Sequence, residues 1–383
     1  MKQIINAKIV TSNGIIEGKT LVFGERIEGI LDSPAENAET VDAKGNYVIP
    51  GLIDLHIHGY NGYDAIDGTE EAIEKMAEGV IKNGVTAFLP TTLTVAYDTL
   101  ERAFDCARNV RNRQISDAEY ASKGATVLGM HAEGPYVNES KKGAQNADYI
   151  KKPDFDFVKK HSDIIKLITL APETDGGFET IKKITRETDV VVSAGHTNAD
   201  YDTMQAAIDA GVTHGTHLFN AMSAFSHRAP GGTGALLFSD KVSCELICDG
   251  VHVHTAWFKP VFDIKGRRLN LITDCLRACG LPNGKYELGG QSFDLNGIEC
   301  RLPDGTIAGS VLKLNRAVYN LHKNGVPLHE AVNCASLYPA ETLGIQGERG
   351  EIKTGLLADI CICSPEMDVI KVFKGGRLSF SEN

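Results

Sequence analysis

Eight short apolar segments run through the middle of this 383-residue chain, and polar residues follow each of them. Their length is typical of buried strands, and most are separated by stretches that suit a helix. Continuous apolar strands that alternate with helices indicate a parallel sheet, because crossover helices cover both of its faces. The predicted strands are residues 49–55, 85–89, 126–130, 164–170, 190–193, 212–216, 243–248 and 270–273.

The number of strands predicts the architecture. Eight parallel strands with alternating helices indicate an α/β protein with a (β/α)8 TIM barrel, whose active site lies at the carboxyl ends of the strands. A segment rich in Gly, Asp and β-branched residues, 285–307, predicts a β-hairpin inserted after the eighth strand. The stretches that suit a helix include 70–82, 97–109, 178–187 and 199–210.

Both ends of the chain differ from the middle. They contain short β-like runs separated by Gly and Asn-Gly turns. We therefore predict a small β-sandwich domain assembled from residues 1–48 and 348–383, and a barrel domain formed by residues 49–347. A chain of this length can bury a barrel-sized core together with a smaller one.

Charge and cysteine content disfavour several classes of function. A formal net charge of −11 argues against a protein that binds nucleic acid or anionic membranes. The first residues carry no signal-peptide core, and no apolar stretch is long enough to span a bilayer. The nine cysteines have no disulfide-framework spacing, so we expect a cytoplasmic protein.

His56 and His58 lie at the end of the first predicted strand and are separated by one residue. Alternate side chains of a strand point the same way, so both imidazoles are expected to face one pocket. An isolated pair of this kind could equally be two core histidines that bond backbone groups. Further candidate ligands follow other predicted strands, and their presence favours a metal site.

Four more candidate ligands occur at strand ends. Glu133 follows the third predicted strand, His196 follows the fifth, His217 ends the sixth and Asp274 ends the eighth. All of them project from the rim where a barrel of this type carries out its chemistry. Imidazoles combined with carboxylates suit Zn²⁺, Fe²⁺ or Mn²⁺, and a carboxylate between two histidine groups can bridge two ions. Each residue alone could be a rim hydrogen-bonding group, but the complete set predicts a metal centre.

Longer motifs surround these candidate ligands and cover nearly the full length of the chain. They are PGLIDLHIHG (50–59), HAEGPYVNESKKGAQN (131–146), SAGHTNADY (193–201), GTHLFNAMSAFSHRAPGG (215–232), CDGVHVH (248–254), LITD (271–274), AGSVLKLNRAV (308–318) and GEIKTGLLADICI (350–362). The chain resembles the amidohydrolase superfamily and, within it, the family of N-acetylglucosamine-6-phosphate deacetylases. The HxH dipeptide alone indicates only the superfamily, whereas HAEGP together with HLFNAM…HRxPG indicates the deacetylases.

The resemblance implies a reaction and a cofactor. The expected reaction is hydrolysis of the N-acetyl group of N-acetylglucosamine 6-phosphate, which gives glucosamine 6-phosphate and acetate in amino-sugar catabolism. The cofactor would be one or two divalent ions per subunit, zinc or iron with manganese as a further option. Two ions are favoured because His56 and His58 are both present. Asp274, beside the metal, is the expected catalytic base.

The resemblance also assigns substrate contacts, some of them across the interface of a homodimer. Asn220 and Ala221 lie just past the sixth strand, where the start of a following helix would offer backbone N–H groups to a phosphate. Arg228 offers a planar fork for phosphate oxygens, although an ordinary loop salt bridge is the alternative. His252 can bond sugar hydroxyls or phosphate. Gln145 replaces a histidine frequent in the family, and it can donate an amide N–H.

Several alternatives remain open at this point. The chain could hydrolyse another N-acetyl sugar or a cyclic amide at the same site, or it could be an inactive barrel kept as a scaffold. An inactive barrel predicts lost ligands, and all six are present. The remaining histidines are assigned structural or surface roles: His131, His214, His227 and His254 structural or next to the site, and His161, His322 and His329 facing solvent.

Overall fold

A computed structural model describes residues 1–382 and contains a barrel of parallel strands. Consecutive barrel strands pair with one another in sequence order, and the third strand consists of two short pieces. The predicted TIM barrel is therefore confirmed. The eight strands are Leu52–Ile57, Val85–Thr92, Thr126–Val127 with Met130–Glu133, Ile165–Leu170, Val191–Ala194, His214–Gly215, Ser243–Ile247 and Leu269–Ile272.

The barrel closes between its first and eighth strands at the carboxyl rim. The backbone N–H of Asp274 donates to the carbonyl of His56 at 2.9 Å, and that of His58 donates to the carbonyl of Cys275 at 2.9 Å. Below the rim, the buried carboxylate of Asp54 accepts a hydrogen bond from the Thr273 hydroxyl at 2.7 Å. The two ends of the sheet are thus joined directly beside the candidate metal ligands.

Helices cover the outside of the barrel. The helix Glu70–Val80 begins at Thr69, whose hydroxyl caps it by accepting from the N–H of Ala72, and it buries an apolar face on the strands. The predicted helix 97–109 extends seven residues further. The helices are Glu70–Val80, Tyr97–Ser116, Ala118–Ser122, Phe155–Lys160, Gly177–Glu187, Tyr201–Ala210, Gly231–Phe238, Phe258–Lys265, Leu314–Lys323, Leu328–Asn333 and Leu337–Thr342. Within residues 1–382 no helix is both long and apolar enough to cross a membrane.

The two ends of the chain form a β-sandwich with its own apolar core. Phe23 of one sheet packs edge-on against Phe373 of the other, with ring centroids 5.3 Å apart. The sandwich confirms the predicted fold class. One sheet contains Lys2–Ile5, Thr20–Phe23, Ile27–Leu31 and Glu39–Asp42, and the other contains Lys8–Thr11, Gly14–Ile16, Tyr47–Pro50, Ile360–Cys363, Val369–Lys374 and Arg377–Ser381.

The junction between sandwich and barrel differs from the prediction. Tyr47–Pro50 pairs with Ile360–Cys363 in the sandwich, so the predicted first barrel strand, 49–55, begins too early. The chain turns at Gly51, where a Cβ atom would lie 2.1 Å from the hydroxyl oxygen of Thr86, so that only glycine fits. The division into residues 1–48 with 348–383 and residues 49–347 stays a prediction.

The segment after the eighth strand contains three strands, whereas the predicted hairpin has two. It forms a three-stranded antiparallel sheet of Gly284–Leu288, Gln291–Asn296 and Glu299–Arg301. The side-chain amide of Gln291 donates to the carbonyl of Ala144 at 2.7 Å. This contact joins the insertion to the loop that carries Gln145, and both elements lie over the mouth of the barrel.

Candidate metal centre and active site

The six predicted metal ligands converge at the carboxyl rim of the barrel. They form two groups, and within each group the possible ligand atoms lie within 4.8 Å of one another. Five of the six are less than a tenth exposed and also line a cavity, while His56 is completely buried beneath it. The groups are His56, His58 and Asp274, and Glu133, His196 and His217.

The first group combines the two histidines of the first strand with the carboxylate that follows the eighth. The Nε2 atoms of His56 and His58 are 3.2 Å apart. Asp274 Oδ1 lies 3.2 Å from His58 Nε2 and 3.6 Å from His56 Nε2. Two imidazole nitrogens and one carboxylate oxygen therefore surround a single point, as in a three-ligand site for a divalent ion.

The second group meets at Glu133. Its Oε1 atom lies 3.1 Å from His196 Nε2 and 3.0 Å from His217 Nε2. Its Oε2 atom faces the first group and lies 3.5 Å from His58 Nε2. Glu133 thus stands between the two groups, which is the position that a carboxylate shared by two ions requires.

Hydrogen bonds at the far side of three rings fix their orientation. In each case a carbonyl or carboxylate oxygen accepts from Nδ1, so Nδ1 carries the hydrogen and the Nε2 lone pair points into the centre. Lone pairs of neighbouring rings then face one another, and a cation between them satisfies both. The acceptors are Glu245 for His56 at 2.9 Å, the Thr91 carbonyl for His58 at 3.2 Å and the Lys141 carbonyl for His196 at 2.8 Å.

The electrostatics of the centre also favour a cation. Burial alone would raise the pKa of Asp274, but hydrogen bonding with His58 and the nearby imidazoles lower it to about 2. The neighbouring histidines hold the pKa of Glu133 well below its ordinary value, although burial acts in the opposite direction. Burial would lower the pKa of His56, yet Glu245 and Glu133 raise it to about 10, so these carboxylates favour a positive charge at Nε2, either a proton or a metal ion in its place. The ligand atoms therefore fit divalent metal ions both in the direction of their lone pairs and in their charge.

Three of the candidate ligands lie in the left-handed backbone region, which residues other than glycine seldom adopt. The φ angles are 48° at His196, 31° at His217 and 49° at Asp274. Each of these residues lies two positions past the end of its strand, where the chain leaves the barrel wall at the rim. Such strained backbone costs of order 1–3 kcal/mol per residue and is concentrated at functional sites.

A cavity of about 260 Å³ opens above the two groups. Of the five residues predicted to bind substrate, four line it. The insertion contributes an apolar part of the wall through Leu288 and Ile307, which the sequence did not single out. The four predicted lining residues are Gln145, Asn220, Ala221 and His252.

The segment after the sixth strand differs from the prediction. Asn220 and Ala221 lie in a turn, and the next helix begins only at Gly231, so no helix start follows them directly. Positive φ angles recur along the turn, for example 50° at Ala221, because the chain must fold back over the rim. Arg228 is exposed on the loop that follows and does not line the cavity within residues 1–382.

Hydrogen bonds fix the side chains of Gln145 and His252 at the cavity wall. Gln145 Oε1 accepts from the backbone N–H of Thr94 at 2.6 Å, so its amide nitrogen must face Glu133 and donates to that carboxylate. His252 Nδ1 donates to Asp249 at 2.6 Å, so Nε2 is the ring nitrogen that is left to bind a ligand. Gln145 therefore braces a candidate metal ligand.

Comparison with known proteins identifies the family. The model of the amidohydrolase family matches residues 47–379. This chain belongs to the amidohydrolase family. The match spans the whole barrel together with the carboxyl-terminal strands of the sandwich, and it agrees with the resemblance that the motifs indicate.

Named relatives of this amidohydrolase are similar over most of their length. An N-acetylglucosamine-6-phosphate deacetylase of Bacillus subtilis (strain 168) is 37% identical over 390 residues, covering 97% of this chain and 95% of that protein. One of Lysinibacillus sphaericus is 36% identical over 356 residues, covering 91% and 89%. The crystal structure of N-acetylglucosamine-6-phosphate deacetylase from Pasteurella multocida has a TM-score of 0.90 and 32% identity, covering 98% of this chain and 99% of that one.

Sequence reasoning missed one acidic residue of the amidohydrolase centre. Glu245 is completely buried in the seventh strand and bonds His56. Burial alone would raise its pKa, but His56 lowers the pKa to about 2. The signal in the sequence is an acid in the otherwise apolar run SCELIC, 243–248, because an unpaired charge is rarely tolerated there.

The burial of the other histidines differs in part from the prediction. His161 was expected to face solvent, and this is wrong, because its ring packs against Phe104 and Phe157 with centroids 5.2 and 4.9 Å away. His322 and His329 are half-buried. His131 and His214 are buried inside the barrel, while His227 and His254 are exposed.

Proposed function

We propose that this chain is a metal-dependent deacetylase that hydrolyses N-acetylglucosamine 6-phosphate to glucosamine 6-phosphate and acetate. The observation that carries the proposal is the pair of ligand groups around Glu133, at the floor of a cavity of about 260 Å³. Family membership and the relatives named above support the same activity. We propose zinc or iron as the ion and two ions per subunit, because two complete ligand groups are present.

The chemistry follows from the groups at the floor of the cavity. A bound divalent ion lowers the pKa of water from about 15.7 to about 7 and stabilises negative charge on a carbonyl oxygen. Asp274 lies at the cavity and stays ionised, so it can accept the proton of the attacking water and then deliver it to the departing amine. Gln145 holds Glu133 in place during these steps.

We propose that the phosphate of the substrate binds at the cavity wall formed by Asn220, Ala221 and His252. Asn220 and Ala221 line the cavity in a turn rich in positive φ angles. His252 also lines it, and its Nδ1 bonds Asp249 while Nε2 does not. Both the backbone N–H and the side-chain amide of Asn220 donate to carbonyls of the turn, so they shape this wall. The backbone N–H of Ala221 and the second ring nitrogen of His252 are the donors suited to phosphate oxygens. Arg228 would complete the set as a bidentate cation.

Arg228 requires a second copy of the chain in this proposal. It is exposed and lies outside the cavity wall of its own subunit. The same region carries an aromatic surface of Phe225, Phe238 and Trp257, of which Phe238 is 57% and Trp257 is 40% exposed. Exposed aromatic clusters mark protein interfaces. We therefore propose a homodimer in which Arg228 reaches the partner's cavity.

We also propose a cytoplasmic location, because all nine cysteines are free, as is usual in a reducing compartment.

The test measures acetate release by metal-loaded protein from N-acetylglucosamine 6-phosphate, its unphosphorylated form and N-acetylgalactosamine 6-phosphate. A fourth compound, a cyclic amide such as dihydrouracil, contains no acetyl group, and its ring opening is followed by ultraviolet absorbance. We expect the first to be fastest, and Arg228→Ala to lower its kcat/KM by roughly 10- to 100-fold, since bonds to a charged group contribute about 1.5–3 kcal/mol. The unphosphorylated sugar should be nearly insensitive to this change.

A surface arginine outside the proposed site serves as the control for Arg228→Ala. Exposed Arg377 lies on the sandwich, and Arg377→Ala should leave all rates unchanged. Faster release from the galactosamine epimer would transfer the assignment to that sugar. Acetate release from none of the three sugars would reject the proposed substrate class, and ring opening of the cyclic amide alone would assign the site to cyclic amides. A loss in Arg228→Ala that is equal for both forms of the sugar would remove Arg228 from the phosphate site.

A further inference from the structure

Glu245 is an acidic side chain in the barrel wall for which the proposed reaction provides no role. It lies within the strand Ser243–Ile247, between Cys244 and Leu246, and no part of it is exposed. Removing an ionised carboxylate from water is costly unless hydrogen bonds and charges compensate it. The partners of this side chain therefore indicate what it contributes.

One oxygen of Glu245 serves both metal-binding groups. Oε2 accepts from Nδ1 of His56 at 2.9 Å and from the backbone N–H of His217 at 3.0 Å. His56 belongs to the group on the first strand, and His217 to the group that meets at Glu133. Oε1 lies 4.0 Å from the Nδ1 atom of His214 and has no hydrogen-bond partner within residues 1–382.

Each of these two bonds constrains a ligand in a different way. The bond to His56 fixes the ring's tautomer and rotation, because only Nδ1–H can donate to the carboxylate, and it leaves the Nε2 lone pair for an ion. The bond to His217 holds the backbone at a residue whose φ is 31°, a conformation that needs support from its surroundings. A single buried atom thus sets the ring of one ligand and the main chain of another.

We propose that Glu245 is a positioning residue that holds the two metal-binding groups in a fixed arrangement relative to each other. It acts through His56 and His217 and does not touch the substrate cavity. The inference rests on the proposed metal-dependent function, but it concerns ion binding and is independent of which sugar is the substrate.

A third ion beside Glu245 is the competing explanation, since His56, His131 and Glu245 also lie within ligand spacing of one another. The hydrogen bonds argue against it. Both ring nitrogens of His131 are engaged, Nδ1 with the Leu55 carbonyl at 3.2 Å and Nε2 with the Thr169 hydroxyl at 2.7 Å. His56 has only Nδ1 on this side, and that atom already donates to Glu245. This group lacks the free nitrogen atoms that an ion would need.

The experiment measures ion binding directly. Metal-free wild-type protein, Glu245→Gln and Glu245→Ala are titrated with zinc in competition with a chromophoric chelator, and with cobalt, whose visible absorption reports ligand geometry. Glu245→Ala removes both bonds, and loss of such a partner typically lowers metal affinity by roughly 10- to 100-fold. Glu245→Gln can keep one accepting oxygen but loses the charge, so we expect a loss of about tenfold and an altered cobalt spectrum.

Ser193→Ala is the matched control. Ser193 is buried in the same barrel interior, and its hydroxyl bonds Thr216 and His214, neither of which is a candidate metal ligand. We expect unchanged zinc affinity and an unchanged cobalt spectrum. An equal loss of affinity in this control would overturn the proposal, because general loosening of the barrel would then explain both variants.

The remaining outcomes are decided by the glutamine variant. If Glu245→Ala does not fold, Glu245→Gln is judged alone, after far-UV circular dichroism shows a native fold. Binding of zinc and cobalt by folded Glu245→Gln with wild-type affinity and spectrum would overturn the proposal. No sugar is present in these titrations, so failure of acetate release would count against the proposed substrate and leave the result on Glu245 unaffected.

Discussion

Replacing Asp274 with asparagine separates proton transfer from metal binding. Asp274 Oδ1 lies 3.2 Å from His58 Nε2, and asparagine keeps an oxygen and the same shape at this point. It cannot accept a proton, so the general-base contribution of 10²- to 10⁴-fold should be lost, which corresponds to about 3–5.5 kcal/mol at 1.36 kcal/mol per decade. The second ligand group does not include Asp274, and ions held there should remain. The readouts are acetate release under saturating substrate and the metal content of the same sample.

The expected pattern is a fall in kcat with KM nearly unchanged, because Asp274 is not among the residues proposed to hold the phosphate. Asp294→Asn provides the reference, since this carboxylate is exposed on the inserted sheet and does not line the cavity. A turnover of Asp274→Asn within tenfold of the wild type would refute the role of Asp274 as the base. A parallel loss of metal and activity would show that ligation is its main contribution.

Two further predictions concern metal and pH. We expect acetate release to rise with the second equivalent of zinc or iron added to metal-free protein, and full activity with one ion per subunit would contradict the two-ion assignment. Burial lowers the pKa of Lys374 from 10.5 to about 8. Between those pH values the unfolded chain binds the proton and the folded chain does not, so the free energy of unfolding should increase by roughly 3 kcal/mol as pH rises, at 1.36 kcal/mol per unit. Urea unfolding of Lys374→Met should lack this increase, whereas Lys123→Met, exposed in the neighbouring loop, should retain it.

The fold could be predicted from the sequence because barrel strands are buried on both faces. Each therefore consists of a short apolar run, and the order of runs along the chain is the order of strands around the barrel. The start of the first strand was misplaced because Tyr47–Pro50 is equally apolar and continues into Leu52–Ile57 after one glycine. Only the pairing with Ile360–Cys363, more than 300 residues away, assigns it to the sandwich.

In the candidate site too, some residues could be predicted from local sequence and others depend on contacts between distant parts of the chain. A residue just past a strand end, such as His196 or Asp274, is placed at the rim by chain order alone, and sequence reasoning identified it. Glu245 lies inside a strand, and its contribution depends on His56, which is 189 residues distant in the chain. An acid in an apolar run indicates that the side chain has a partner, but nothing local in the sequence identifies that partner. Sequence order therefore predicts which residues lie at the barrel rim, whereas the groups that hold those candidate ligands in place become evident only when strands from distant parts of the chain lie side by side.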